Sequence, residues 1–152
     1  MTRSIFLASP ISGFSSQDEY YSFRKEALSL IAFLRDKGYA VYSEIEGIVR
    51  LNNYDSPAKS VNEDFKAIKK NDIFMLLHPA RMQTSSLVEF GYACAFNKKK
   101  LVVAKKLDLP FLIIGYAEDN DSARIVNTSI KDKNSYTLII KALDELSRGL
   151  KS

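Results

Sequence analysis

Short apolar runs alternate with amphipathic stretches along most of this chain. Ile5-Phe6-Leu7-Ala8 is apolar throughout and stops at Ser9-Pro10, the pattern of a strand covered on both faces. A helical period follows over 18–37, where Phe23, Ala27, Leu30, Ile31 and Leu34 recur at spacings of three and four. Gly38 suits the left-handed position that ends such a helix. Residues 39–42, 73–77 and 101–104 read as the second, third and fourth strands. The connection over 44–59 carries the turn formers Asn52-Asn53 and Asp55-Ser56-Pro57, and its length suggests a lid or binding loop. Ser60, with Glu63 three residues on, has the spacing of a capping box for a helix ending at Lys70. Ser85 or Ser86 caps the next expected helix, which runs through Asn97. Beyond Lys105 the pattern weakens: 111–114 and 123–127 read as short strands, and a last helix covers 136–148.

Strands alternating with helices imply an α/β domain with a mostly parallel sheet. Crossovers in such a sheet are right-handed. The expected architecture is a flavodoxin-like three-layer sandwich with five strands in the order 2-1-3-4-5. The 152 residues read as a single domain spanning 1–152, without repeat, low-complexity tract or linker. Ligands of this fold bind beyond the carboxyl ends of the strands, at the switch point between strands one and three. Residues 9–14, 43–54 and 78–86 are therefore expected to share one crevice.

Composition narrows the chemistry. Lys plus Arg is 22 and Asp plus Glu is 18, and the resulting +4 charge favours neither small anions nor nucleic acid. Hydrophobic and charged fractions of 46% and 26% exclude disorder. Cys94 is the only cysteine, which excludes a disulfide framework and a cysteine-based zinc site. With His78 the only histidine, no metal and no cofactor are expected. No apolar run approaches the roughly 20 residues of a membrane helix, and the start of the chain lacks a signal-peptide pattern. A cytoplasmic protein with no membrane partner is expected. Lys98, Lys99, Lys100, Lys105 and Lys106 read as a solvated edge without interleaved aromatics, so nucleic acid is not an expected partner.

Glu89 is the leading candidate for chemistry. It falls in the first turn of the helix after strand three, among Leu87, Val88, Phe90 and Ala93, where a helix N-terminus favours an ionised carboxylate. The alternative is a first-turn acid that only complements the dipole. Asp64 reaches the crevice if the 44–59 segment folds over it, and is otherwise a solvated acid early in its helix. Asp72 opens strand three at the opposite end and is read as structural. Ser9, Ser12 and Gly13, with the amides of Ser85 and Ser86, form a potential anion site, although no P-loop or dinucleotide fingerprint is present. Gly91 offers close approach to sheet or ligand, Cys94 reads as core, and His78 reads as a turn residue.

Three blocks carry a resemblance. Ile5-Phe6-Leu7-Ala8-Ser9-Pro10, Asn62-Glu63-Asp64-Phe65 through Asn71-Asp72-Ile73, and Leu87-Val88-Glu89-Phe90-Gly91-Tyr92-Ala93 resemble the nucleoside 2-deoxyribosyltransferase family over about residues 4–104. The last block is similar to its glutamate helix. The resemblance implies that Glu89 attacks C1′ of a nucleoside or nucleotide and displaces the base. Water or a second base then resolves the intermediate. It implies Asp64 as the acid–base or base-orienting group. Ser9, Pro10, Ser12, Gly13, Ser85 and Ser86 become candidates for contacts to ribose or phosphate. Residues 44–57 have no counterpart in the family pattern. A homo-oligomer is implied as well, since related proteins often complete their sites across a subunit boundary.

Toll/interleukin-1 receptor (TIR) domains are similar in layout. They place a glutamate on the helix after strand three, and many process NAD at the same kind of bond. The expectations are an N-glycosidic bond-cleaving enzyme or, alternatively, a TIR-like NAD hydrolase or cyclase. A non-catalytic nucleotide-binding sensor and a self-associating interaction domain are the readings from other classes.

Overall fold

A computed structural model describes residues 3–149. The absence of a signal peptide was expected partly from Met1 and Thr2, which lie outside the described residues. Strands β1 (Ser4–Ala8), β2 (Ala40–Tyr42), β3 (Ile73–His78), β4 (Lys99–Ala104) and β5 (Ala123–Asn127) form one sheet. The order is β2-β1-β3-β4-β5 and every pairing is parallel, which gives the expected flavodoxin-like sandwich. Among the described residues, five α-helices connect the strands or follow the last of them: α1 (Gln17–Asp36), α2 (Pro57–Lys70), α3 (Ser86–Cys94), α4 (Phe111–Asp119) and α5 (Ser135–Arg148).

Alternation along each strand builds two cores. Ile5, Leu7, Met75, Leu77, Leu101 and Val103 point to one face, under Leu30 and Leu34 of α1 and Ile139 and Leu143 of α5. Phe6, Ala8, Phe74, Leu76, Val102 and Ala104 point to the other, against Ile68 of α2, Phe90 and Ala93 of α3 and Ile113 of α4. With both faces covered, the central strands need apolar residues at every position, which is why β3 is buried from end to end.

Several local expectations change. Ser56, not Ser60, caps α2: its side chain accepts the Lys59 amide and Pro57 occupies the first turn. Asp64 consequently lies deeper in α2, past its first turn. Residues 111–114 are helical rather than extended. Pro110 opens α4, Ile113 packs inward and Phe111 and Leu112 face outward, so the run is the crossover from β4 to β5. Helix α3 ends at Cys94, short of Asn97. Two of the expected solvated lysines are structural. Lys100 is buried beside the Tyr116 ring, and Lys98 Nζ donates to the Lys69 and Asn71 carbonyls. Asp72 serves the fold, accepting from Ser4 N at 3.0 Å and Ser4 Oγ at 2.8 Å where β1 and β3 begin. No described helix is long and apolar enough to cross a membrane.

Candidate active site

Beyond the carboxyl ends of β1 and β2 the connecting segments cannot follow the sheet, and a cavity of about 330 Å³ opens between them. That size is within the usual range for small-molecule sites. The β1–α1 segment supplies Ile11 and Ser12, the β2–α2 segment supplies Glu44 and Tyr54, and α2 supplies Ser60, Val61, Asp64 and Phe65. Ser85, Val88 and Glu89 come from the start of α3. All three segments expected to share a crevice therefore contribute.

Three carboxyl groups meet in this space. Glu89 is in the first turn of α3, partly exposed, with its carboxyl at the cavity wall. Burial raises its pKa from the ordinary range to about 8, and the charge of Glu44 adds to the effect. Asp64, 6% exposed, lies on the inner face of α2. Ser43 follows β2, and Glu44 then opens a single 3-10 turn (Glu44–Glu46). Burial raises Glu44 to about 8, assisted by a hydrogen bond with Asp64 and by that group's charge. Burial likewise raises Asp64 to about 6, against the same hydrogen bond, while the charge of Glu89 raises it further. Two carboxyls joined this way hold one proton between them. Asp64 Oδ1 is buried and receives no N–H or alcohol hydroxyl from the described residues, and the Glu44 carboxyl is the partner of this side chain.

The segment bearing Glu44 is pinned from α1. Tyr20 Oη donates to the Ile48 carbonyl at 2.6 Å. Arg24 Nε donates to the Ile45 and Ile48 carbonyls at 3.0 and 3.1 Å. Its terminal nitrogen reaches the Glu46 carbonyl at 2.8 Å. Arg35 clamps the Glu46 carboxylate with two bonds, at 2.8 and 2.7 Å.

Solved structures share this fold. The CMP N-glycosidase BcmB of Clostridium botulinum is 23% identical, with a TM-score of 0.66 over 93% of this chain and 99% of its own. BlsM, known from a solution structure, is 21% identical with a TM-score of 0.75, covering 96% of this chain and 94% of its own. A conserved protein of Enterococcus faecalis is 16% identical with a TM-score of 0.55, covering 99% and 100%. No protein-family model and no curated protein matches by sequence. At these identities the likeness is one of fold.

The structure brings Glu89, Asp64, Ser12 and Ser85 together and leaves other candidates behind. Ser85 precedes α3 without a side-chain capping bond, so its hydroxyl is available to the cavity. Ser86 is fully buried, with its hydroxyl against Thr84 Oγ1, and does not line the cavity. Ser9 and Pro10 are buried at the end of β1 and also lie outside the lining. Gly13 has φ +87, and a Cβ there would meet the Gln83 carbonyl oxygen at 2.8 Å. Its role is to let the β1–α1 and β3–α3 segments touch. Gly91 is exposed with no close neighbour for a Cβ, so the close approach expected of it is not needed. Glu44 was missed as a candidate. Its one sequence signal is an acid two residues after the second strand, inside a segment already assigned to the crevice.

Proposed function

We propose that this protein cleaves the N-glycosidic bond of a nucleoside or nucleotide, with Glu89 as nucleophile at C1′. The observation that carries this reading is the meeting of Glu89 with the Glu44–Asp64 pair around one cavity. A carboxylate facing the anomeric carbon stabilises the positive charge that develops there and bonds to it. As the Glu89 oxygen bonds to C1′, the C1′–N bond breaks and its electron pair goes to the base. The Glu44–Asp64 pair gives the base its proton. Water, or a second base, then attacks C1′ and frees Glu89, and the pair recovers a proton from the incoming group.

Tyr54 and Phe65 offer aromatic surface for the base, and Ser12 and Ser85 offer hydroxyls to the sugar. The fold shared with the CMP N-glycosidase BcmB supports this chemistry. So do the three sequence blocks, since two of them carry Asp64 and Glu89. The test is incubation with nucleosides, nucleoside 5′-monophosphates and NAD, with chromatography for released bases. Release of a free base supports the reading. Saturable binding of a nucleoside or nucleotide without base release would instead mark a sensor. Release of nicotinamide alone would mark a TIR-like activity.

A further inference from the structure

We infer that the carboxyl-lined cavity selects an uncharged nucleoside and discriminates against 5′-monophosphates and dinucleotides. This deepens the proposed function and rests on its assignment of the sugar site. Among the described residues, no Lys, Arg or His lines the cavity. A second cavity of about 500 Å³ adjoins it, sharing Glu44, Tyr54 and Ser60. There the lining adds Asp55 and Glu63 and again no basic side chain. The nearby Lys59 is paired with two of these acids, its Nζ 3.0 Å from Asp55 and 3.9 Å from Glu63.

A phosphate attached at C5′ would therefore meet carboxyl groups and no basic side chain. Three carboxyls already compete for protons there, as the raised pKa values of Glu44, Asp64 and Glu89 record. A phosphate dianion would place further negative charge where ionisation is already disfavoured.

The basic groups of this end of the sheet lie elsewhere. Lys105 and Lys131 line a separate cavity of about 270 Å³, beyond the ends of β3, β4 and β5. The two cavities share no lining residue. Between them stands the contact of Gly13 with the Gln83 carbonyl. Each partner sits in a segment that borders both spaces: Ser12 and Ser85 face one, Phe14 and Met82 the other. A substrate phosphate in the carboxyl-lined cavity is thus walled off from those lysines.

The test compares kcat/KM for common ribonucleosides and 2′-deoxynucleosides with that for their 5′-monophosphates and for NAD, at low and high salt. Calorimetry on Glu89→Gln measures binding of the same compounds without turnover. The expected result favours each cleaved nucleoside over its monophosphate by on the order of tenfold to a hundredfold, with the gap narrowing as salt rises. Val88→Lys, which sets a cation on the cavity wall, is expected to narrow the gap as well. Equal or better use of the monophosphate overturns this inference and leaves the cleavage reading intact. Preferential nucleoside binding with no base released supports the inference and rejects the cleavage reading. Failure of both classes to bind rejects both.

Discussion

Glu44 and Asp64, on separate elements at the ends of β2 and within α2, share a carboxyl–carboxyl hydrogen bond beside Glu89. This contact sets a proton donor beside the proposed nucleophile. One proton held between two carboxyls is a donor available near neutral pH, where a lone surface carboxylate would be empty.

Removing the proposed nucleophile is the simplest perturbation. Glu89→Gln keeps shape and deletes charge, so nucleoside binding is expected to persist while base release falls on the order of a thousandfold. Steady-state kinetics paired with calorimetry check both halves.

Activity is expected to follow a bell-shaped pH profile with its optimum near 8. Glu89 must be ionised and ionises at about 8, so kcat/KM rises as pH climbs toward that value. The pair must retain a proton, held by Glu44 up to about 8, so activity falls at higher pH. Glu44→Gln removes a charge that raises Glu89 and is expected to move the ascending limb to lower pH. Measuring kcat/KM from pH 5 to pH 10 (on the order of the range that spans the reference carboxylate and lysine values) resolves both limbs.

The same carboxyls weaken the fold at alkaline pH. A carboxyl raised in the folded state favours folding below its unfolded pKa, and that contribution is lost as pH rises through the folded value. For Glu89 the loss is complete above about 8. Glu89→Gln is therefore expected to melt about 2–4 °C above the parent at alkaline pH, with a smaller difference in mild acid. Thermal melts across pH read this directly.

Gly13→Ala tests the wall between the two cavities. Its φ of +87 and the 2.8 Å approach of a Cβ to the Gln83 carbonyl oxygen make any side chain strained. A loss of about 1–3 kcal/mol in stability is expected by chemical denaturation. Asp72→Ala, at the amino end of the sheet, is the contrasting case. It loses the two Ser4 bonds and about 1 kcal/mol of stability, with kcat/KM for base release unchanged.

Much of this architecture was legible because parallel strands buried on both faces must be apolar at every position, as in 5–8 and 73–77. The strand order followed from alternation and crossover handedness. Residues 111–114 misled because a short apolar run has no period, and Pro110 as a helix opener was the signal that mattered. That Glu89 lines the cavity was legible from its place in the first turn of the helix after the third strand, and that Asp64 does so from the sequence block around it. Glu44 was not, since nothing in the 44–59 segment shows that Tyr20, Arg24 and Arg35 draw it over the sheet. The burial of Ser86 and Pro10 was equally hidden, because serine and proline next to a strand end serve packing and binding alike.

The central claim is a bond between Glu89 and the anomeric carbon. It is tested most directly with the nucleoside or nucleotide that turns over, prepared with fluorine at C2′ so that the second step slows and the intermediate accumulates. Intact-mass and peptide mass spectrometry should then find one fluorinated sugar on the peptide containing Glu89, absent from Glu89→Gln. Base release with the sugar on another residue, or with no adduct under conditions where the intermediate should build up, would contradict the account.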